Sequence, residues 1–291
     1  MKVVYFISYL VIFGFFASCS SNAQSLLIGN TKSPDSVSIR TDFNKYFKNY
    51  NVQGSIAIYD DRNNKWILSD SSDVYKDSLP ASTFKIINLL VALETGVVKD
   101  ENEVIKWNGQ TDTARYGYRP EIYRDMTIQE AFLESAVWVF LDMAKKIGKA
   151  NYQYYLKACN YGNQNLSEEG EDFWNFGTLG ISPVNQVNFL RNMYAGNLPF
   201  SKRNIDIVKR VLVNEQNENY TLSAKTGWTR EGGINTGWWV GYVENNEGVV
   251  FFATRLFQDR KFNSPDFGPS RKEITRSILM DLNVIPQVSG K

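Results

Sequence analysis

Ser82-Thr83-Phe84-Lys85 places a hydroxyl and an amine three residues apart, and this S-x-x-K spacing occurs once in the chain. On a helix the two side chains lie on one face about a turn apart, so the amine can hydrogen-bond the hydroxyl and take its proton. Ser82 is then a nucleophile and Lys85 its base. An N-capping serine beside an exposed lysine has the same spacing, but the following residues oppose that reading. Phe84, Ile86, Ile87, Leu89, Leu90, Val91 and Leu93 leave almost no polar face, which demands burial on most sides and takes Lys85 with them. Pro80 precedes the segment and Gly96 stands where a C-terminal cap belongs, bounding one helix with Ser82 near its N-terminus, where free N–H groups favour negative charge.

The chain has no histidine. That removes Ser-His-Asp and Cys-His mechanisms and nearly all catalytic zinc sites, leaving lysine or a carboxylate as base. A formal net charge of +1 in 291 residues gives no electrostatic case for nucleic acid. Hydrophobic residues make up 43% of the chain, enough for one large core or two modest lobes.

The elements that must position Ser82 and Lys85 follow from periodicity. Met1 to Ser18 has a charged start and a short apolar run, the pattern of a secretory signal. Phe16-Ala17-Ser18-Cys19 resembles a bacterial lipoprotein processing site, which would make Cys19 the lipidated first residue; cleavage after Ala23 is the alternative. Either route takes the protein out of the cytoplasm, to the periplasm, with any membrane attachment made through that lipid. Cys159 is then left alone, a buried packing residue with no disulfide. Residues 24–291 are expected to form a single catalytic domain.

A short amphipathic helix is predicted over Asp42 to Tyr50, and a hairpin from Gly54–Tyr59 and Lys65–Leu68, so that the nucleophile follows a sheet edge. From about residue 96 to 213 the period is helical, with no alternation long enough for a strand; Thr127 to Ile147 is its clearest helical region, interrupted at Ser135. Strand chemistry returns at Tyr220–Thr226, Thr236–Val243 and Val249–Thr254, and Ser270 to Leu282 closes as a helix. The expected architecture is α/β with two lobes. An antiparallel sheet flanked by terminal helices is built from about residues 40–80 and 214–291, an all-helical lobe is inserted, and the site lies in the cleft.

Three further short motifs fall at sensible places: Ser135-Ala136-Val137 in the helical lobe, Tyr161-Gly162-Asn163 in a loop of that lobe, and Lys225-Thr226-Gly227 ending a strand. Each is weak alone, and their order is the signal. With Ser82-Thr83-Phe84-Lys85 the set resembles the class D, or oxacillinase-type, serine β-lactamases, within the penicillin-recognising serine enzymes. Leu93-Glu94-Thr95-Gly96, Phe173-Trp174, Ile181-Ser182-Pro183 and Gly237-Trp238-Trp239-Val240-Gly241 resemble that family too.

The resemblance implies hydrolysis of β-lactams through an acyl-enzyme on Ser82. Lys85, N-carboxylated by carbon dioxide or bicarbonate and with no other cofactor or metal, would be the general base for both halves of the reaction. Val137 would wall the carbamate pocket, and the Trp174 indole N–H would donate to the carbamate. Ser135 would relay a proton to the leaving nitrogen, beside Lys225. The backbone N–H groups of Ser82 and Trp228 would form the oxyanion hole. Thr226 and Arg271 would bind the substrate carboxylate, and Gly227 would let substrate approach the strand. Burial lowers a lysine pKa and a neutral amine adds carbon dioxide, so the apolar helix agrees with a carbamate. Two departures stand out: Asn175 follows Trp174 where the family commonly has leucine, and Ser167–Glu171 forms a longer acidic loop. A β-lactam sensor that is acylated without turnover and a D-Ala-D-Ala carboxypeptidase are the rival readings.

Overall fold

The computed structural model describes Met1 and residues 35–262 and 264–287; the expected signal sequence, Cys19 and the alternative cleavage after Ala23 lie outside these residues. From Asp35 onward the described chain folds as one compact unit.

Its sheet has seven strands. They are β1 (Ser36–Ile39), β2 (Gln53–Asp60), β3 (Lys65–Leu68), β6 (Val213–Gln216), β7 (Tyr220–Glu231), β8 (Ile234–Asn245) and β9 (Gly248–Asp259), ordered β1-β3-β2-β9-β8-β7-β6. Five of the six strand pairings are antiparallel as expected, but β1 pairs with β3 in parallel, so the sheet is mixed. β3 is therefore not an edge, and the nucleophile follows an inner strand. β1 carries Ser, Val, Ser and Ile with mostly exposed side chains, too short and polar a segment to announce itself by pattern.

Alternation along the central strands fills two cores. Trp238, Val240 and Tyr242 of β8 with Phe251 and Ala253 of β9 face the helical lobe. Trp239, Val243, Phe252 and Leu256 face the opposite side, where α1 (Asn44–Lys48) and α9 (Phe267–Asp281) supply Phe47, Phe267, Ile274 and Ile278. The last three strands are longer than predicted because their ends, in Glu231, Asn245 and Asp259, are polar while their backbone pairing continues.

The helical lobe contains α2 (Lys85–Glu94), α3 (Thr113–Tyr116), α4 (Ile128–Leu133), α5 (Val137–Ile147), α6 (Lys149–Ala158), α7 (Pro183–Ala195) and α8 (Lys202–Leu212). A two-residue pair, β4 (Val104–Ile105) with β5 (Met126–Thr127), also lies there, contrary to the expectation of an all-helical insertion. Thr127 and Glu130 close a capping box on α4, and the predicted interruption is real: Ser135 sits at φ 57° between α4 and α5.

The largest local correction concerns the nucleophile. Ser82 is not on an α-helix with Lys85. Ala81–Phe84 form a 3-10 turn and α2 begins at Lys85. In a 3-10 turn residues i and i+3 eclipse each other, which aligns Ser82 with Lys85 better than an α-helix would. Gly96 does follow the C-cap of α2, at φ 72°, and every residue from Lys85 to Leu93 is buried.

Candidate active site

The 3-10 turn is pinned from three sides. Ala81 N–H donates to the Trp174 carbonyl at 2.9 Å, and the Trp238 indole N–H donates to the Leu79 carbonyl at 2.9 Å. Thr83 Oγ1 donates to the Pro80 carbonyl at 2.7 Å and accepts from Gln186 Nε2 at 2.8 Å. Ala81 is held at φ 51°, a left-handed conformation that costs a non-glycine residue about 1–2 kcal/mol and persists only where its surroundings fix it. Gln186 was not singled out by sequence, and Trp238 only as part of the Gly237–Gly241 stretch; both bond to the turn rather than to the Ser82 hydroxyl.

Lys85 Nζ donates to Ser82 Oγ at 2.9 Å, the one hydrogen bond of the Ser82 side chain among the described residues. Lys85 is fully buried, its ammonium 5.1 Å from the centre of the Phe140 ring. Burial lowers its pKa to about 8, partly opposed by Asp172 and reinforced by Arg119. The second pair mirrors the first: Lys225 Nζ donates to Ser135 Oγ at 2.9 Å. Lys225 is pushed well below an ordinary lysine by burial first, then by Lys85 and Arg271.

A cleft of about 640 Å³ opens over these groups, lined among others by Ser82, Ser135, Val137, Thr226, Gly227, Trp228 and Arg271. Arg271 donates from Nη1 to the Gly227 carbonyl at 2.5 Å and from Nε to the Gly268 carbonyl at 2.8 Å. Burial brings its pKa down to about 10. Gly237 leaves the space it needs, since a Cβ there would meet Arg271 Cδ at 2.9 Å. β6 pairs with β7 only as far as Ser223, so Lys225 to Trp228 run along a strand edge that no other strand covers among the described residues.

Gly227 lines the cleft, and its missing side chain also has a structural reason. A Cβ at this position would meet the Pro80 carbonyl at 2.9 Å and Thr83 Cγ2 at 3.1 Å, so the missing side chain makes room for the nucleophile's own turn. Gly227→Ala is expected to lower stability by about 1–3 kcal/mol and kcat/KM with it, because the contact is backbone that cannot swing aside. Thermal unfolding and kinetics on one preparation check both.

Trp174 does not line the cleft. It is fully buried, stacked on Phe84 at 5.0 Å and 14°, and its indole N–H has no partner among the described residues. Asn175 reaches the cleft, but its amide nitrogen donates to Asp172 Oδ1 at 2.7 Å, while Asp172 Oδ2 accepts from Tyr116 Oη at 2.6 Å. Burial raises the Asp172 pKa. Tyr116 and Asp172 lie far apart in sequence and carried no motif, which is why this network was missed.

Tyr161-Gly162-Asn163 stays out of the cleft. Tyr161 is buried edge-on to Phe84 at 5.9 Å, Gly162 adopts φ 56° against the Gly180 carbonyl, and Asn163 Oδ1 accepts from Gly180 N–H at 3.0 Å. The motif braces the 175–181 loop that follows Trp174.

Two serine–lysine pairs facing one cleft, between a mixed sheet and a helical lobe, define a serine acyltransferase of the penicillin-binding type. The penicillin-binding-protein transpeptidase domain family matches residues 43–280. β-Lactamase OXA-10 of Pseudomonas aeruginosa is 37% identical over 261 residues, 89% of this chain and 95% of its own. OXA-48 of Klebsiella pneumoniae is 36% identical over 245 residues, 84% and 89% of the two chains. The class D β-lactamase crystal structure from Sebaldella termitidis superposes with a TM-score of 0.82 at 40% identity, covering 87% of this chain and 100% of that one. The chain belongs to the class D serine β-lactamases.

Proposed function

We propose that this protein hydrolyses β-lactam antibiotics through an acyl-enzyme on Ser82, with Lys85 working as an N-carboxylated base. The single observation that supports the base assignment is the buried, unpartnered N–H of Trp174, whose ring stacks on Phe84, the residue preceding the fully buried Lys85. An orphaned buried donor costs about 1–3 kcal/mol, and a carbamate on Lys85 would provide an acceptor for it. The amine must be neutral to add carbon dioxide, and a pKa brought down to about 8 makes that form accessible near neutral pH.

In this reading Ser82 Oγ attacks the lactam carbonyl as its proton passes to the carbamate of Lys85. Oxyanion charge is met by the backbone N–H groups of Ser82 and Trp228. The lactam nitrogen leaves with that same proton, passed on from the Lys85 base through Ser135, whose hydroxyl accepts a hydrogen bond from Lys225, so the base is free again. A water activated by the same carbamate then attacks the ester and frees Ser82. Thr226 and Arg271 hold the substrate carboxylate, with an Nη of Arg271 left for it beyond the Gly227 contact. Val137 closes the pocket on the cleft side.

Purified protein is expected to turn over penicillins many times, with intact mass spectrometry showing little accumulated acyl-enzyme. A persistent one-to-one adduct without turnover would identify a sensor instead, and cleavage of a D-Ala-D-Ala peptide in place of lactams a carboxypeptidase. The charged and apolar start of the chain supports export to the periplasm, with lipidation at Cys19 as the means of membrane attachment. No helix among the described residues is long and apolar enough to cross a membrane.

A further inference from the structure

The cleft is lined by Arg115, Arg119, Arg230, Arg260 and Arg271, and by no aspartate or glutamate. In a chain of net charge +1 this is a strong local segregation of charge, and a walled cleft focuses the resulting field. One arginine answers the carboxylate common to penicillin-like substrates. Arg119 is engaged elsewhere, at 2.7 Å from Glu121 and 3.8 Å from Glu134. Arg115 lies across the cleft, stacked over Phe176 at 4.3 Å. Arg230 and Arg260 remain.

These two arginines have no carboxylate partner among the described residues. Arg230 sits 4.8 Å over the Trp228 ring, and Arg260, whose backbone N–H donates to the Gly233 carbonyl at 2.9 Å, closes the tip of the β7–β8 hairpin. Together with Trp228 they line both the cleft and an adjoining hollow of about 440 Å³. The nearby acids do not neutralise them. Asp259 is taken by Lys261 at 2.9 Å, and the Glu231 carboxyl is pushed up by burial and by Glu168, with no arginine to counter it.

Strand direction says which part of a substrate reaches them. If the reacting carbonyl is held at Trp228 and the ring carboxylate at Thr226 and Arg271, the acyl side chain leaves the carbonyl the other way along β7. It then passes Thr229 and comes to Arg230, about 7 Å beyond Trp228 along the strand. We propose that Arg230 and Arg260 form a second anion subsite, which selects β-lactams carrying an additional carboxylate or sulfonate on the acyl side chain. This rests on the hydrolytic reading above. Planar guanidinium groups suit such a group by paired N–H donation.

The test uses two penicillins that differ by one carboxylate, benzylpenicillin and its α-carboxy counterpart, carbenicillin, with the full-length protein and its Arg230→Gln, Arg260→Gln and doubly substituted variants. In the double variant the ratio of kcat/KM for the dianion to that for the monoanion is expected to fall about tenfold, while the monoanion value stays within about twofold, a change typical of losing charge-assisted hydrogen bonds. The wild-type ratio should also fall between low salt and about 0.5 M salt, as screening shortens the field. Arg230→Lys should keep part of the preference. An unchanged ratio, or an equal loss on both substrates, overturns the subsite. If the wild type turns over neither compound, hydrolysis fails as a reading, and the same ratio is then taken from rates of acyl-adduct formation by intact mass.

Discussion

Ser82→Ala is expected to abolish turnover of a chromogenic β-lactam and covalent labelling by a fluorescent penicillin, with kcat falling by at least about 10⁴-fold. The size of the loss follows from the site having one nucleophile. Ser135, the other hydroxyl close to a lysine, receives its hydrogen bond from Lys225 and sits at a left-handed break between two helices. Its own lysine, Lys225, stands at the same 2.9 Å as Lys85 does from Ser82, so the assignment of attack to Ser82 and proton relay to Ser135 is what this variant tests. The variant should nonetheless fold. Among the described residues the one hydrogen-bond partner of Ser82 Oγ is the Lys85 amine, so stability should move by no more than about 1 kcal/mol. Circular dichroism and thermal unfolding separate a dead enzyme from an unfolded one. Labelling that survives in a folded Ser82→Ala protein would place the nucleophile elsewhere and remove the basis of the mechanism.

That a folded, inactive variant can be expected at all shows what the sequence did and did not carry. The four motifs and the missing histidine pointed to the two serine–lysine pairs, because chemistry constrains residue type and the order of motifs along the chain. The apolar run after Ser82 pointed to a buried base, because nine consecutive buried positions in α2 leave a pattern that solvent would not tolerate. What stayed hidden is what depends on distance between remote segments. The pins on the nucleophile turn from Trp238 and Gln186, the Tyr116–Asp172–Asn175 chain and the contact that forbids a side chain at Gly227 join positions far apart in sequence. The 3-10 turn was hidden for a different reason. Its residues, Ala81 to Phe84, read as an α-helical first turn, and it is a left-handed Ala81, fixed by the Trp174 carbonyl, that sets the geometry.

The state of Lys85 carries the second large effect, and it is read by changing carbon dioxide, pH and Trp174 together. After acid decarboxylation and transfer to bicarbonate-free buffer, activity is expected to be low and to return on adding bicarbonate. Only the neutral amine reacts. With burial bringing the Lys85 pKa down to about 8, about a tenth of it is neutral at pH 7 and half at pH 8. At fixed dissolved carbon dioxide the initial rate of recovery should therefore rise about fivefold over that unit and level off above it. Trp174→Phe keeps an aromatic ring against Phe84 but deletes the N–H. If that N–H donates to a carbamate, the variant forfeits a charge-assisted hydrogen bond, about 1.5–3 kcal/mol, and needs about 10- to 100-fold more bicarbonate for half-maximal activity. A structural tryptophan predicts something else: lower stability from the smaller ring, with an unchanged bicarbonate requirement. Thermal unfolding distinguishes the two, since a group that binds the folded state raises Tm as its concentration rises. The wild-type Tm should climb with bicarbonate, the Trp174→Phe Tm should climb less, and the Lys85→Ala Tm should not respond. A wild-type rate and Tm both indifferent to bicarbonate would leave Lys85 as a free amine base, and the orphaned indole N–H would need another acceptor.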